Sequence, residues 1–221
     1  MTSERSSRPG SSAEGDLDVV VLVPDADWEQ AVSALLSRPC ALGIRGLSFQ
    51  VVRHPQRDPG VRTAAAGLLR PFQGRARFAL VCLDLEGSGH PGPPEDLAQG
   101  IEEMLKPEWG DRCAAVVVDP ELERWIWADS PHVARSLGWQ GTMGELRTEL
   151  EGRGRWPASA QKPLRPKETM REVMRSTGRP VSAAVFRGIA ERVSLQGCTD
   201  PAFHRFREVL RAWFPAPAGG A

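Results

Sequence analysis

Phe78-Ala79-Leu80-Val81-Cys82-Leu83-Asp84-Leu85-Glu86-Gly87-Ser88-Gly89 is a continuous apolar run that opens onto two carboxylates and a glycine turn. Near-continuous Val/Leu runs of this kind belong to parallel strands covered on both faces. Two further segments share the pattern. Leu17 to Val23 leads into Pro24-Asp25-Ala26-Asp27-Trp28-Glu29, and Cys113 to Val118 leads into Asp119-Pro120-Glu121-Leu122-Glu123. In an open parallel sheet, ligands bind at the carboxyl ends of the strands near a change in strand order. Acids after three such strands are therefore expected to converge on one edge. In extended conformation Asp84 and Glu86 leave the same face of the strand end. Two anions held that close repel unless something positive lies between them, and a hard divalent cation meets that need. A solvated loop after a core strand is the plainer reading of D-x-E-G alone; the acids at the other strand ends favour a site.

Working outward, Trp28, Val32, Leu35 and Leu36 keep helical spacing after the first strand, with Asp25 or Asp27 as N-cap. A strand over 46–53 follows. His54-Pro55-Gln56-Arg57-Asp58-Pro59-Gly60 is a turn cluster in which Asp58 suits an N-cap and Pro59 the first helical position, with the helix running to about Leu69. After the Gly/Pro-rich loop 87–94, the spacing predicts a helix over 95–105 and a strand over 113–118. This alternation specifies a three-layer α/β fold on a mostly parallel sheet. The expected organisation is a disordered tail over 1–15, an α/β domain over 16–150, a linker or ordered surface loop over 151–166, and a helical region over 167–221 packed on the first domain. In that last region, Val181, Ala184, Val185, Ile189 and Val193 keep helical spacing, as do Phe203, Phe206, Leu210 and Trp213.

The 28 basic and 28 acidic residues cancel, so no global electrostatic case for nucleic acid or membrane follows. The charges are unevenly placed. Acids dominate the strand ends, while Arg153, Arg155, Lys162, Arg165, Lys167, Arg171, Arg175 and Arg179 crowd the later part. That run reads as a solvated helix face or as a basic surface beside the acidic edge. The four cysteines are far apart and show no zinc spacing. The first residues are Ser/Gly/Arg-rich without an apolar core segment, which points to a cytoplasmic protein with neither signal peptide nor membrane span. No serine-triad, Walker, Rossmann or H-E-x-x-H pattern occurs. His90 stands near the acids in sequence, as a proton carrier or ligand on one reading and a solvated loop residue on the other.

Pro120-Glu121-Leu122-Glu123-Arg124-Trp125-Ile126-Trp127-Ala128-Asp129 is the second dense signal. If it is helical, Glu121 and Trp125 share a face, as do Trp125 and Asp129. The structural alternative has Pro120 start a helix, the glutamates favour its positive end, and the tryptophans enter the core.

The order strand–acid, strand–D-x-E-G, strand–Pro-Glu-x-Glu-x-Trp resembles a group of small bacterial Toprim-like proteins. Within that group the chain is similar to a component of the methylation-associated phage-defence systems. The stretches HPQRDPG, ALVCLDLEGSG and VVVDPELERWIWADSPHVARSLGW carry the likeness, which extends over most of the chain after the tail, including Cys198-Thr199-Asp200-Pro201-Ala202-Phe203. Toprim domains use a glutamate after the first strand and a D-x-D after a later one to hold magnesium for phosphodiester chemistry. This chain departs twice: Pro24-Asp25 stands where Glu-Gly is expected, and Glu86 replaces the second aspartate.

The resemblance implies an antiviral-defence component binding Mg2+, with Mn2+ as substitute, through Asp25, Asp84 and Glu86. Asp84, Glu86, Glu121 and Glu123 are the candidate catalytic residues. The ions would activate water and stabilise the leaving oxygen, while arginines clamp phosphate. Expected partners are other defence-system subunits and nucleic acid, with no membrane. The alternative is a non-catalytic assembly or sensor subunit with a degenerate site, using an exposed tryptophan to bind its partner.

Overall fold

The computed structural model describes residues 17–217; the tail expected over 1–15 lies outside them. Strands β1 (Leu17–Val23), β2 (Phe49–Arg53), β3 (Ala76–Asp84) and β4 (Cys113–Val118) form one sheet in the order β2-β1-β3-β4, and every pair is parallel. The fold is three-layer α/β, as the apolar runs required. Val21 pairs with Val51 on one side and Leu80 on the other, and Leu83 pairs with Val117. The chain builds outward from β1 to β2, then returns to place β3 on the opposite side of β1. The carboxyl ends of β1 and β3 thus border the crevice where strand order reverses.

Alternate residues of each strand enter different layers, the consequence of a two-residue side-chain period. Val20, Leu22, Val81, Leu83 and Val117 pack with α3 (Arg57–Leu69) and α5 (Pro94–Trp109). Val19, Val21, Leu80, Cys82 and Val116 face α1 (Ala26–Leu36) and the later helices. Of these, α10 (Ala183–Ala190) packs on α1, and α11 (Pro201–Trp213) packs on β4 and on the short α2 (Pro39–Leu42). Past α11, Phe214 is fully buried and Pro215 bridges to Ile44, while Trp213 stacks on Phe78 at 4.5 Å. The helical region after 166 therefore shares one apolar core with the sheet. The stretch 151–166 is held in place as well: Trp156 is buried and donates to Ala160 O at 2.9 Å, and Lys162 Nζ donates to Arg124 O at 2.7 Å.

Several local expectations change. Asp25 does cap α1, accepting from the Asp27 and Trp28 amides. Asp58 does not cap α3, which begins at Arg57 with Gln56 at the cap position, and Pro59 is its third residue rather than its first. The helix α5 runs on past Leu105 to Trp109, because Trp109 is buried against the sheet and anchors the last turn. In α10 the buried residues are Phe186, Ile189 and Ala190, and Val181 lies outside the helix and exposed. The bulk of Phe186, with the largest apolar surface available there, sets the buried face. Pro120 starts no helix; α6 (Glu123–Ile126) is a single turn that begins after Leu122.

Candidate functional site

The β1/β3 crevice holds a cleft of about 400 Å³. It is lined by eight carboxylates, Asp25, Asp27, Asp58, Asp84, Glu86, Glu121, Glu123 and Glu168, and by three cations, Arg57, Lys167 and Arg171. The acids read from three strand ends thus do border one cavity. They enter it in different ways.

Asp84 is the last residue of β3 and only 7% exposed. Its Oδ1 accepts from the Trp28 indole Nε1 at 2.9 Å and from the Leu122 amide at 2.8 Å. Strand geometry ends at this residue. Leu85 opens a helical turn, α4 (Leu85–Ser88), so Glu86 does not project from the same strand face as Asp84. Its amide instead donates to Pro120 O at 3.1 Å, and the side chain stands exposed at the rim.

Asp58, expected at a cap, is buried in the first turn of α3, and its Oδ1 accepts from the Asp84 amide at 2.9 Å. Gly87 makes room for that carboxylate: a Cβ there would stand 2.7 Å from Asp58 Oδ2. The glycine of D-x-E-G is thus required by the close approach of another helix. Just before Asp58, Arg57 holds φ at 54°, a left-handed conformation that costs a non-glycine residue roughly 1–2 kcal/mol. From there its guanidinium reaches Asp25 Oδ2 at 3.3 Å.

Glu121 and Glu123 are almost fully buried on the opposite wall. Here the decisive partner is Lys167, in the first turn of α9 (Pro166–Ser176). Its amide donates to Glu121 Oε1 at 2.9 Å, its Nζ donates to Glu121 Oε2 at 2.9 Å, and the same Nζ lies 3.4 Å from Glu123 Oε1. One ammonium bridges two buried carboxylates while one of them caps the helix that presents it.

The electrostatics follow from this crowding. Burial, then the neighbouring Asp58 and Glu123 charges, hold the Asp84 carboxyl well above the usual carboxylate range, against the opposing effects of Trp28 and Lys167. Asp58 is raised by burial and by Asp25, and Asp27 by burial and by Asp25. Burial lifts Glu123 to about 7, with Glu121 adding to the rise and Lys167 opposing it. Burial disfavours the Lys167 charge, but Glu123 and Glu121 outweigh it and hold the ammonium above the ordinary lysine range. Anionic repulsion is only partly neutralised by the three cations present.

Several of the oxygens in the cleft already have partners. Asp25 Oδ1 caps α1 and its Oδ2 meets Arg57; Asp84 Oδ1 takes two N–H donors; both Glu121 oxygens are bonded within Lys167. Among the described residues no three His, Cys, Asp or Glu side chains are gathered as ligands of one ion. His90 does not line the cleft.

The tryptophans of the Glu121–Asp129 segment are internal. Trp125 meets Trp28 edge-on at 5.4 Å and Phe203 at 5.2 Å, and donates to Asp200 Oδ1 at 3.0 Å; Trp127 donates to Pro166 O at 3.0 Å. Neither is available as the exposed anchor that an assembly subunit was expected to use.

Asp58, Trp28 and Arg57 are site residues that sequence reasoning did not assign, and Lys167 stood there only as a member of the basic run. The available signals were Asp58 inside HPQRDPG and the first tryptophan directly after an acidic strand end; nothing separates Lys167 from the basic run around it. No family model, curated protein or solved structure matches the chain. No helix among the described residues is long and apolar enough to cross a membrane.

Proposed function

We propose that this chain is a non-catalytic sensor subunit of a bacterial antiviral-defence complex, built on a Toprim-like acidic cleft. The defence assignment rests on the sequence resemblance. One observation carries the non-catalytic part: Lys167 Nζ stands between Glu121 and Glu123, supplying from within the chain the positive charge that a divalent ion would otherwise bring. A lysine ammonium neutralises carboxylates but generates no hydroxide and binds no leaving oxygen as a metal does.

A specific observation favours a second reading, magnesium- or manganese-dependent action on nucleic acid: eight carboxylates face three cations, so the cleft retains a strong field for a further cation. One set of assays separates the two. Plasmid, single-stranded DNA and RNA are incubated with the purified chain and Mg2+ or Mn2+, and thermal stability is followed with and without the ions. The subunit reading expects no cleavage and no Mg2+-dependent rise in melting temperature in the wild type, with a rise appearing in Lys167→Met. Cleavage by the wild type that Asp84→Asn abolishes overturns it in favour of the enzyme.

A further inference from the structure

A second cavity, about 690 Å³, shares Leu122 with the acidic cleft but has the opposite chemistry. Its volume falls in the range of small-molecule sites, roughly 300–1,000 Å³. The walls are apolar: Trp125 and Trp127 on one side, Phe186 and Ile189 from α10, and Leu195 beyond it. The two indoles are fixed by hydrogen bonds to Asp200 and to Pro166 O, so the walls are set in place without any ligand. Lys162 lies at the lining, half-buried, and Arg124 O at 2.7 Å is the one acceptor that its Nζ meets among the described residues. An ammonium carries three donors. Burial pushes the Lys162 pKa below the ordinary lysine value, with Cys198 and Asp200 opposing. Beside it, Gln161 accepts from Thr199 through Oε1, which turns its amide nitrogen into the donor end.

We propose that this cavity binds a small apolar monocarboxylate, its hydrocarbon or aromatic body among the tryptophan, phenylalanine and isoleucine walls and its carboxylate on the Lys162 ammonium. A single negative charge is the match. Of the charged side chains at the lining, Arg192 and Asp129 offset each other and leave the Lys162 ammonium as the net positive charge, too little to hold a phosphate dianion. The proposal is independent of the role assigned to the acidic cleft.

Calorimetric titration tests it, with decanoate below its micelle concentration and decanol as the uncharged counterpart. The wild type is expected to bind decanoate saturably at one site. Lys162→Met should weaken decanoate roughly tenfold, the effect of losing one hydrogen bond to a charged group, and leave decanol unchanged. Ser194→Trp, at an exposed residue of the mouth, should block both, and it carries the test if melting curves show Lys162→Met unfolded. Absence of saturable decanoate binding, equal decanoate affinity in wild type and folded Lys162→Met, or full binding in Ser194→Trp would each overturn the proposal.

Discussion

Asp84 and Asp200 are two aspartates in nearly the same situation, yet they do opposite things. Each is almost completely buried, at 7% and 4% exposed, and each accepts from a tryptophan indole and a backbone amide on Oδ1. They differ in the third neighbour. Asp200 Oδ2 meets the Arg124 guanidinium at 2.9 Å, whereas the Asp58 and Glu123 charges act against the Asp84 carboxylate more strongly than Lys167 favours it. A buried carboxylate with a cation is a structural joint, here tying α11 to the segment after β4. One surrounded by other anions is destabilising to hold, and such stress is retained at functional sites.

Four measurements bear on this contrast, from the largest expected effect down. Asp200→Ala strips the partner from Trp125 Nε1, from the Phe203 amide and from Arg124 together, so denaturant unfolding should show a loss of about 4 kcal/mol. A loss below about 1 kcal/mol, typical of surface changes, would dissolve the distinction. Next comes the pH response. Glu123 keeps its proton up to about 7 when folded but releases it near 4.5 when unfolded, so the folded state binds more protons across that window and stability falls as pH rises through it. Glu123→Gln should remove about 3 kcal/mol of that fall, at about 1.4 kcal/mol per pKa unit. Identical pH profiles for variant and wild type would place the repulsion elsewhere.

Lys167→Met should cost about 2 kcal/mol at alkaline pH by leaving Glu121 and Glu123 facing each other, and less in acid, where Glu123 is protonated. An equal cost at both pH values would mean that Lys167 contributes packing alone. The smallest effect has the opposite sign. Asparagine at 84 keeps the oxygen that Trp28 and Leu122 bond while removing the repelled charge, so Asp84→Asn should stabilise by about 1 kcal/mol at neutral pH. Destabilisation there would make Asp84 another Asp200.

The sheet was legible because its signal is local and strong. β1 and β3 carry unbroken apolar runs over Val19–Val23 and Phe78–Leu83, β4 is apolar throughout and occupies the residues that the pattern marks, Cys113–Val118, and only β2, Phe49–Arg53, is mixed. The meeting of acids at one edge was legible too, since parallel strands must deliver their carboxyl ends to the same side. What could not be read is what each acid bonds to. An aspartate before a proline looks the same whether it caps its own helix or receives the amide of Asp84 from a distant strand. Lys167 is one of many basic residues in its stretch, and only the docking of α9 selects it. The helical turn right after Asp84 likewise depends on the Glu86 amide finding Pro120 O, a contact across chain segments that D-x-E-G does not encode. In α10, period alone admitted two faces, and the aromatic residue decided between them.

The contact of Gly87 with Asp58 has a consequence for how such a chain can change over generations. A side chain at 87 collides with the carboxylate at 58, and a shorter residue at 58 removes the reason for a glycine at 87. The two positions therefore form one unit of inheritance. Gly87→Ala alone strands the lineage that acquires it, whereas Gly87→Ala arriving after Asp58→Ser is admissible, so the order in which these substitutions occur is itself constrained.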